Sequence, residues 1–299
     1  MDTQPVVAAV DGSQESLRAL EWAVDAARRR EAPLRVVHVR QYTSWTRSQV
    51  LVSGPPGPDA DPVLDQVRGH MEPQSALPDV EYITLDGAPG ALLPEMGATA
   101  QLLVLGSRGR GGFASLLLGS NSLAAARDAE CPVVVVPRPK GDADTTSAAG
   151  RPVVVGLNVD SPDEATLAFA FTEAGLRGTR LRVVAAYSWP LQTWMLPGEV
   201  PPPDIDQDAV EHETRTLAEG FLAAHRERHP GVTAGTDVLP GDAAGHLVDA
   251  SQDAELVVVG RHRRRLMAPA RMMGSVTQAV LLHAASPVAV VPPAPPEEA

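Results

Sequence analysis

The sequence predicts an α/β protein built from two tandem, doubly wound halves, each carrying a five-stranded parallel sheet. Three observations lead there. The chain repeats itself: Pro5-Val6-Val7-Ala8-Ala9-Val10-Asp11 returns 147 residues later as Pro152-Val153-Val154-Val155-Gly156-Leu157-Asn158. Gly87 to Gly106 returns 154 residues later as Gly241 to Gly260, and CPVVVVP at 131–137 returns as SPVAVVP at 286–292. The apolar runs are continuous Val/Leu stretches, as expected for strands covered on both faces. Stretches with apolar residues about 3.6 apart separate them, giving β-α-β alternation. The expected domains are 1–138 and 151–293, with the polar, small-residue segment 139–150 as a flexible linker.

In the first half the strands are expected at Val6 to Val10, Leu34 to Val39, Val80 to Leu85, Leu102 to Leu105 and Val133 to Val136. Leu17, Leu20, Val24 and Ala27 mark the inner face of the first helix. In the second half Ser161-Pro162-Asp163-Glu164 reads as a capping box with proline at the first helical position.

The run Leu102-Leu103-Val104-Leu105 leads straight into GSRGRGGFASLLLGS at 106–120: Gly106, two residues, Gly109, nine residues, then Gly119-Ser120. This is a strand, a glycine-rich loop and a helix start. Glycines lack a Cβ, so a ligand can come close to the main chain. The first turn of the helix presents unpaired N–H donors and the positive end of its dipole. Such a site holds an anion without a lysine, and the one lysine, Lys140, lies beyond the next strand. Neither G-x-x-x-x-G-K-[ST] nor G-x-G-x-x-G occurs. On spacing alone a plain glycine-rich surface loop fits equally well. Topology adds a second argument. With strand order 3-2-1-4-5, the ligand crevice opens where the first and fourth strands end, at Asp11 and Gly106.

The combination of strand-Asp11-Gly12-Ser13, Gly87-x-Pro89 and Gly106-x2-Gly109-x9-Gly119-Ser120 resembles the universal stress protein family, and the duplication resembles its tandem form, from Pro5 to Pro292. The resemblance implies Rossmann-like sheets of order 3-2-1-4-5 and bound ATP, with or without Mg²⁺. It places Asp11 beside the nucleoside, Val39 against adenine, and Gly106, Gly109, Gly119, Ser120 and Asn121 on the ribose and phosphates. Ala9, Gly87, Ser107, Arg108 and Ser122 complete the implied set of nucleotide-binding residues. Pairing through the fifth strands is implied as well, inside one chain as a pseudo-dimer or between chains as a homodimer. Read without the resemblance, Asp11 and Val39 also suit a turn and a strand core. The implied role is a stress or signalling module in which bound nucleotide modulates conformation or the choice of a protein partner. The alternative is a slow ATPase or a nucleotidyl-transfer enzyme. Against it, the chain has no S-G-G-x-D-S or H-I-G-H run and no lysine to neutralise a transferring phosphate. No catalytic residue is assigned.

The second half departs from the pattern. Asn158 stands for the aspartate, Arg263 for the second glycine, and ten residues separate Arg263 from Gly274-Ser275. A non-glycine residue resists positive φ, and an arginine side chain fills space a phosphate needs. One strong nucleotide site is therefore expected, in the first half.

Composition limits the other functions. Net charge is −5 over 1–150 (13 basic, 18 acidic) and −7 over the remainder (12 basic, 19 acidic), a surface that repels nucleic acid. The run Arg261-His262-Arg263-Arg264-Arg265 reads as a solvated loop or as an anion or partner contact. His225 and His229 lack the H-E-x-x-H order and are expected on a solvated helix face, while His38 is expected as a hydrogen-bonded core histidine. The lone Cys131 reads as a small buried apolar residue, and no metal ligand set is evident. A single cysteine, no leader-like segment and no apolar run of 18 residues suggest a cytoplasmic protein without a membrane span. Aromatic residues are only 4%, so aliphatic side chains must fill the core. Trp45, Trp189 and Trp194 come after the second strand of each half, where they suit lids, a partner patch or simple loop anchors.

Overall fold

The valine and leucine runs become strands of one sheet. The structure, a computed structural model, describes residues 3–41, 60–74, 76–109, 118–138, 150–187, 206–261 and 273–294. The first half runs β1 (Val6–Val10), α1 (Gln14–Arg29), β2 (Leu34–Arg40), α2 (Pro62–Met71), β3 (Val80–Asp86), α3 (Pro89–Glu95), β4 (Leu102–Gly106), α4 (Ser120–Asp128) and β5 (Val133–Val136). The second runs β6 (Val153–Leu157), α5 (Glu164–Arg177), β7 (Leu181–Tyr187), α6 (Gln207–Arg228), β8 (Ala234–Pro240), α7 (Ala243–Ala250), β9 (Leu256–Gly260), α8 (Ser275–His283) and β10 (Val288–Val291). Strands are parallel within each half, in the order β3-β2-β1-β4-β5 and β8-β7-β6-β9-β10.

The two five-stranded sheets do not stand apart. β5 pairs antiparallel with β10, with Val133, Val134 and Val135 opposite Val290, Ala289 and Val288, and a ten-stranded sheet results. The physical reason is the edge. Alone, each half would end on an apolar strand with unpaired backbone groups, and joining the two edges satisfies both. The cores merge with the sheets. Under α1, α2, α5 and α6, buried side chains run from Val6, Leu20 and Leu64 through Val134 and Ala289 to Phe171 and Leu222. On the opposite face, Val37 and Leu103 connect through Val133 and Val290 to Val257 and Leu247. The tandem chain is thus an intramolecular pseudo-dimer. The outer strands β3 and β8 are only half-buried and carry cross-strand ion pairs, Arg35–Glu81 at 2.8 Å and Arg182–Asp237 at 2.5 Å, which suit exposed edges.

Two local expectations are corrected. The cap of α5 is Asp163, whose carboxylate accepts from the amides of Ala165 (3.1 Å) and Thr166 (3.4 Å), so Pro162 lies outside the helix. Glu164 does not reach back to close a capping box. Its carboxylate contacts His225 Nε2 at 3.0 Å and accepts from Arg228 at 2.8 Å, and the Arg228 bond, helped by His225 against the effect of burial, holds it below the usual carboxylate range. His225 is not on a solvated face. The inward stripe Thr214-Ala218-Leu222-His225 carries it into the core, fully buried, where its ring stacks on Phe171 at 5.2 Å. His229 stacks on Phe171 as well, at 5.6 Å.

His38 is the hydrogen-bonded histidine the sequence suggested. Its Nδ1 lies 2.8 Å from Asp61, which also accepts from Thr84 Oγ1 (2.7 Å) and from the amides of Val63 (3.1 Å) and Leu64 (3.2 Å). One buried carboxylate therefore ties β2, β3 and the start of α2 together. Burial alone would raise the Asp61 carboxyl, but the bonds from His38, Thr84 and Leu64 outweigh it and hold the group below its ordinary range. A carboxyl so lowered contributes stability that is present above the unfolded value and is lost as pH falls through the folded one. Asp61→Ala is expected to cost roughly 2–4 kcal/mol at neutral pH, a lost cap plus buried donors left unpaired. Urea titrations of both proteins should show this difference shrinking as pH falls from about 5 towards 2.

Candidate functional site

Since β1 and β4 are adjacent and parallel, with Val6 opposite Leu102, Asp11 and Gly106 leave the sheet side by side. The turn into α1 holds Asp11 in place. Its Oδ1 accepts from the Ser13 amide (3.0 Å) and Ser13 hydroxyl (2.6 Å), while its own amide donates to Ser16 Oγ at 3.3 Å. Gly12, at φ 77°, turns the chain into α1, and Ser13 Oγ caps that helix by accepting from the Ser16 amide at 3.2 Å.

The glycines of the loop serve closeness. A Cβ on Gly106 would stand 2.8 Å from the backbone C and O of Glu15, so this glycine lets α1 lie against the end of β4. A Cβ on Gly109 would stand 2.3 Å from Asp11 Oδ2, so the loop passes directly over the aspartate. Ser107 and Ser122, both buried, hold the loop's ends. The Ser107 amide donates to Val136 O (2.8 Å), its carbonyl accepts from the Gly119 amide (2.7 Å), and Ser122 Oγ donates to Gly106 O (2.7 Å). These bonds bring Gly119, and with it the first turn of α4, to the end of β4. Gly119 is the N-cap of α4 and offers no capping side chain. α3 and α8 likewise begin without a capping side chain, α8 on Gly274, whereas α1, α2, α5, α6 and α7 each have a Ser or Asp cap. The start of α4, with Ser120 exposed and Asn121 half-buried, leaves its first-turn amides without a side-chain cap, and a negative charge at such a helix start gains about 0.3–1 kcal/mol in dipole energy.

Asp11, Gly106, Ser107, Arg108, Gly109, Gly119, Ser120, Asn121 and Ser122 are therefore brought together. Ala9 and Val39 lie nearby but almost buried, in the core under α3 and α4 with Leu103 and Leu105. Gly87 stands beyond β3, two strands from β1, where its amide donates to Arg40 O at 3.0 Å. The turn it begins leads into α3, whose Gly90 faces Asn121 across α4, with Asn121 Oδ1 3.5 Å from where a Gly90 Cβ would be. Sequence reasoning quoted Ser13 in the motif without a role and missed Ser16 and Glu15; Ser13 and Ser16 orient Asp11, and Glu15 abuts Gly106. The signal was Asp11-Gly12-Ser13 before an apolar stripe, a turn feeding a helix cap.

The second half repeats this scaffold with different contents. Thr277 Oγ1 donates to Gly260 O at 2.8 Å, as Ser122 does to Gly106, and the Arg261 amide donates to Val291 O at 2.7 Å, as Ser107 does to Val136. Asn158 Oδ1 accepts from the Asp160 amide at 3.1 Å, in place of the bonds from Ser13 to Asp11. Arg110, Gly111 and Gly112, the run 262–265, and Trp45, Trp189 and Trp194 lie outside the described residues. Cys131 is buried and its thiol is pushed up to about 12, chiefly by burial, which leaves it unreactive. Among the described residues no three His, Cys, Asp or Glu side chains gather to hold a metal, and no helix is long and apolar enough to cross a membrane.

The Universal stress protein family profile matches residues 3–137 and again 150–292. The chain belongs to the universal stress protein family. A universal stress protein of Mycobacterium tuberculosis is 34% identical over 95% of this chain and 96% of its own length, and one of Mycolicibacterium smegmatis is 31% identical over 96% and 97%. The crystal structure of a universal stress protein from Archaeoglobus fulgidus shares the fold, with a TM-score of 0.65 at 17% identity, covering 98% of this chain and 99% of that one.

The packing around the universal stress protein glycines gives a stability test. Gly106→Ala is expected to cost about 1–3 kcal/mol, because the atoms in its way are backbone and cannot step aside. Gly119→Ala, whose Cβ would meet its nearest neighbour at 3.4 Å, should change stability little. Denaturant midpoints of the two variants check the contrast.

Proposed function

We propose that the first half binds an adenine nucleotide, with ATP as the ligand, and that the bound nucleotide biases conformation or partner choice in a cytoplasmic stress-response module. The proposed units are 1–138, with the intact site, and 151–293, with a degenerate one, joined by the linker 139–150. One observation carries the reading: the Gly109 main chain lies over the Asp11 carboxylate, so that a Cβ there would stand 2.3 Å from Oδ2, beside a helix start that lacks a capping side chain.

Within this reading Asp11, steadied by Ser13, would accept hydrogen bonds from the nucleoside. The main chain around Gly109, Ser120 and Asn121, with Arg108 beside it, would hold the phosphates. Ala9 and Val39 would form the apolar floor under the base, with Gly87 on the far side. Ser107, Ser122, Gly106 and Gly119 would act by holding the loop in shape. Any Mg²⁺ would be carried mainly by the phosphates, since no acidic cluster is available among the described residues.

This arrangement would grip the ligand's ground state, and with no lysine and, among the described residues, no evident base for a hydrolytic water, binding would not become catalysis. Calorimetric titration with ATP is expected to give close to one site per chain. Gly109→Arg, which copies Arg263 of the second half, should abolish it, and Asp11→Ala should weaken affinity about tenfold by leaving polar partners unsatisfied. Single-turnover hydrolysis should stay below about 1 s⁻¹. Fast hydrolysis lost in Asp11→Ala with affinity intact would make the protein an enzyme instead, and two equal sites would overturn the asymmetry between halves.

A further inference from the structure

The seam between the halves has a symmetric part and an asymmetric part. The β5–β10 ladder is symmetric. Val134 faces Ala289 at its centre, and a second copy of either strand offers nearly the same aliphatic partner. As far as the backbone is concerned, two first halves or two second halves could pair as well as one of each. The charged side chains across the seam have no such symmetry.

Glu173 of α5 is fully buried and holds two guanidinium groups in short contacts, Arg30 from the end of α1 in the other half and Arg177 from its own helix. Arg177, whose side chain is 1% exposed, lies 3.2 Å from Glu255 and 5.3 Å from the ring centre of Trp22 on α1. Arg29 donates across the seam to Leu176 O at 3.3 Å and stands 4.0 Å from Glu255. On the other sheet face Arg261 Nη1 donates to Ala129 O at 2.6 Å, at the carboxyl end of α4. Burial, with help from neighbouring arginines, lowers the Arg30 group to about 10, and burial lowers Arg177 to about 10, so both remain charged at neutral pH and need their carboxylates.

None of these contacts has a counterpart related by the pseudo-twofold. The buried stripes of α1 and α5 align at an offset of 150, Ser16 with Thr166 and Leu17 with Leu167, which sets Ala23 against Glu173 and Ala27 against Arg177. The strand ends align Ser107 with Arg261, and Gln101 with Glu255. Two first halves would bring Arg30 against alanines, with only the exposed Asp25, already paired with Arg29 at 2.7 Å, in place of the buried Glu173. Two second halves would leave Glu173 with Arg177 of its own helix and without Arg30. A buried ion that loses one of its partners is costly in a packed interface, whereas the matched network is roughly neutral against an apolar packing of similar volume. Its effect is therefore on choice rather than on strength.

We propose that the network of Arg30, Glu173, Arg177 and Glu255 selects the partner of each half: the first half's seam surface accepts a second half and rejects another first half. The chain therefore closes on itself, and its fifth strands are not exchanged to make homodimers.

The test keeps the whole chain but opens the tether. A protease site placed in 139–149 is cut after folding, and the nicked protein is incubated and tracked by native mass spectrometry, beside a nicked variant carrying Arg30→Leu, Glu173→Leu and Arg177→Leu. The wild type should remain a one-to-one pair of first and second halves, with pairs of like halves below about a tenth of the total. The apolar variant, which leaves no buried charge behind, should redistribute towards the statistical mixture of one like pair, two unlike and one like. Like pairs at statistical level in the wild type, dissociation of the nicked wild type, or an apolar variant that keeps strictly unlike pairs would each overturn the proposal. Circular dichroism on the nicked variant confirms that it is folded. If it is not, the single exchange Glu173→Gln, which keeps shape and removes the charge, is read in its place, with more like pairs expected and none overturning.

Discussion

Val133–Val136 and Val288–Val291 meet antiparallel in the middle of the sheet, and the placement of every other element depends on that ladder. Strands within a half are parallel, so an antiparallel join sends the carboxyl ends of the two halves' strands to opposite edges of the sheet. Each crevice is then built from one half alone. The second half cannot lend a residue to repair the first site, and the first cannot mend the second. The departures of the sequence at Asn158 and Arg263 therefore belong to the second crevice. The join also lets two small aliphatic cores act as one, which suits a chain with few aromatic residues to bury.

Around the first crevice, close approach matters more than charge. Gly106 brings α1 against β4, Gly109 crosses over Asp11, and Ser122 and Ser107 hold the ends of the loop, so the start of α4 faces the same space as the aspartate. The second half keeps the serine-like staple at Thr277 and the backbone bond at Arg261, and loses the aspartate. Shape is preserved there while ligand chemistry is not. Arg261, part of a run that the sequence read as a solvated loop or as an anion or partner contact, donates from its guanidinium to Ala129 O across the seam.

Much of the fold was legible because parallel strands buried on both faces leave unbroken Val and Leu runs, and because duplication supplied each run twice. The closeness of Asp11 and Gly106 came from strand order. What was not legible depended on neighbours far along the chain. His225 looked exposed, since nothing local reveals that Phe171 waits across the core. The cap lies at Asp163 and not Ser161, which makes Glu164 the first helical residue, and its carboxylate goes to His225 and Arg228, about sixty residues away. The pairing of CPVVVVP with SPVAVVP came from the family resemblance and not from the linear pattern, which does not display unsatisfied edges, and β5 and β10 do pair. Of the candidate site residues, Ser122 donates its hydroxyl to Gly106 O and Ser107 uses its main chain to hold the loop's ends, bonds that a linear pattern does not display.

The central claim is that a nucleotide occupies one half only, at the crossing of Gly109 over Asp11. Amide chemical-shift mapping of the isotope-labelled chain during ATP addition tests it most directly. Saturable shifts are expected at Asp11–Ser13, Val39, Ser107–Gly109 and Gly119–Ser122, with the matching amides at Asn158, Gly260–Arg261 and Gly274–Thr277 unmoved. Equal shifts in both halves, or shifts that leave Asp11 and Gly109 untouched, would contradict it.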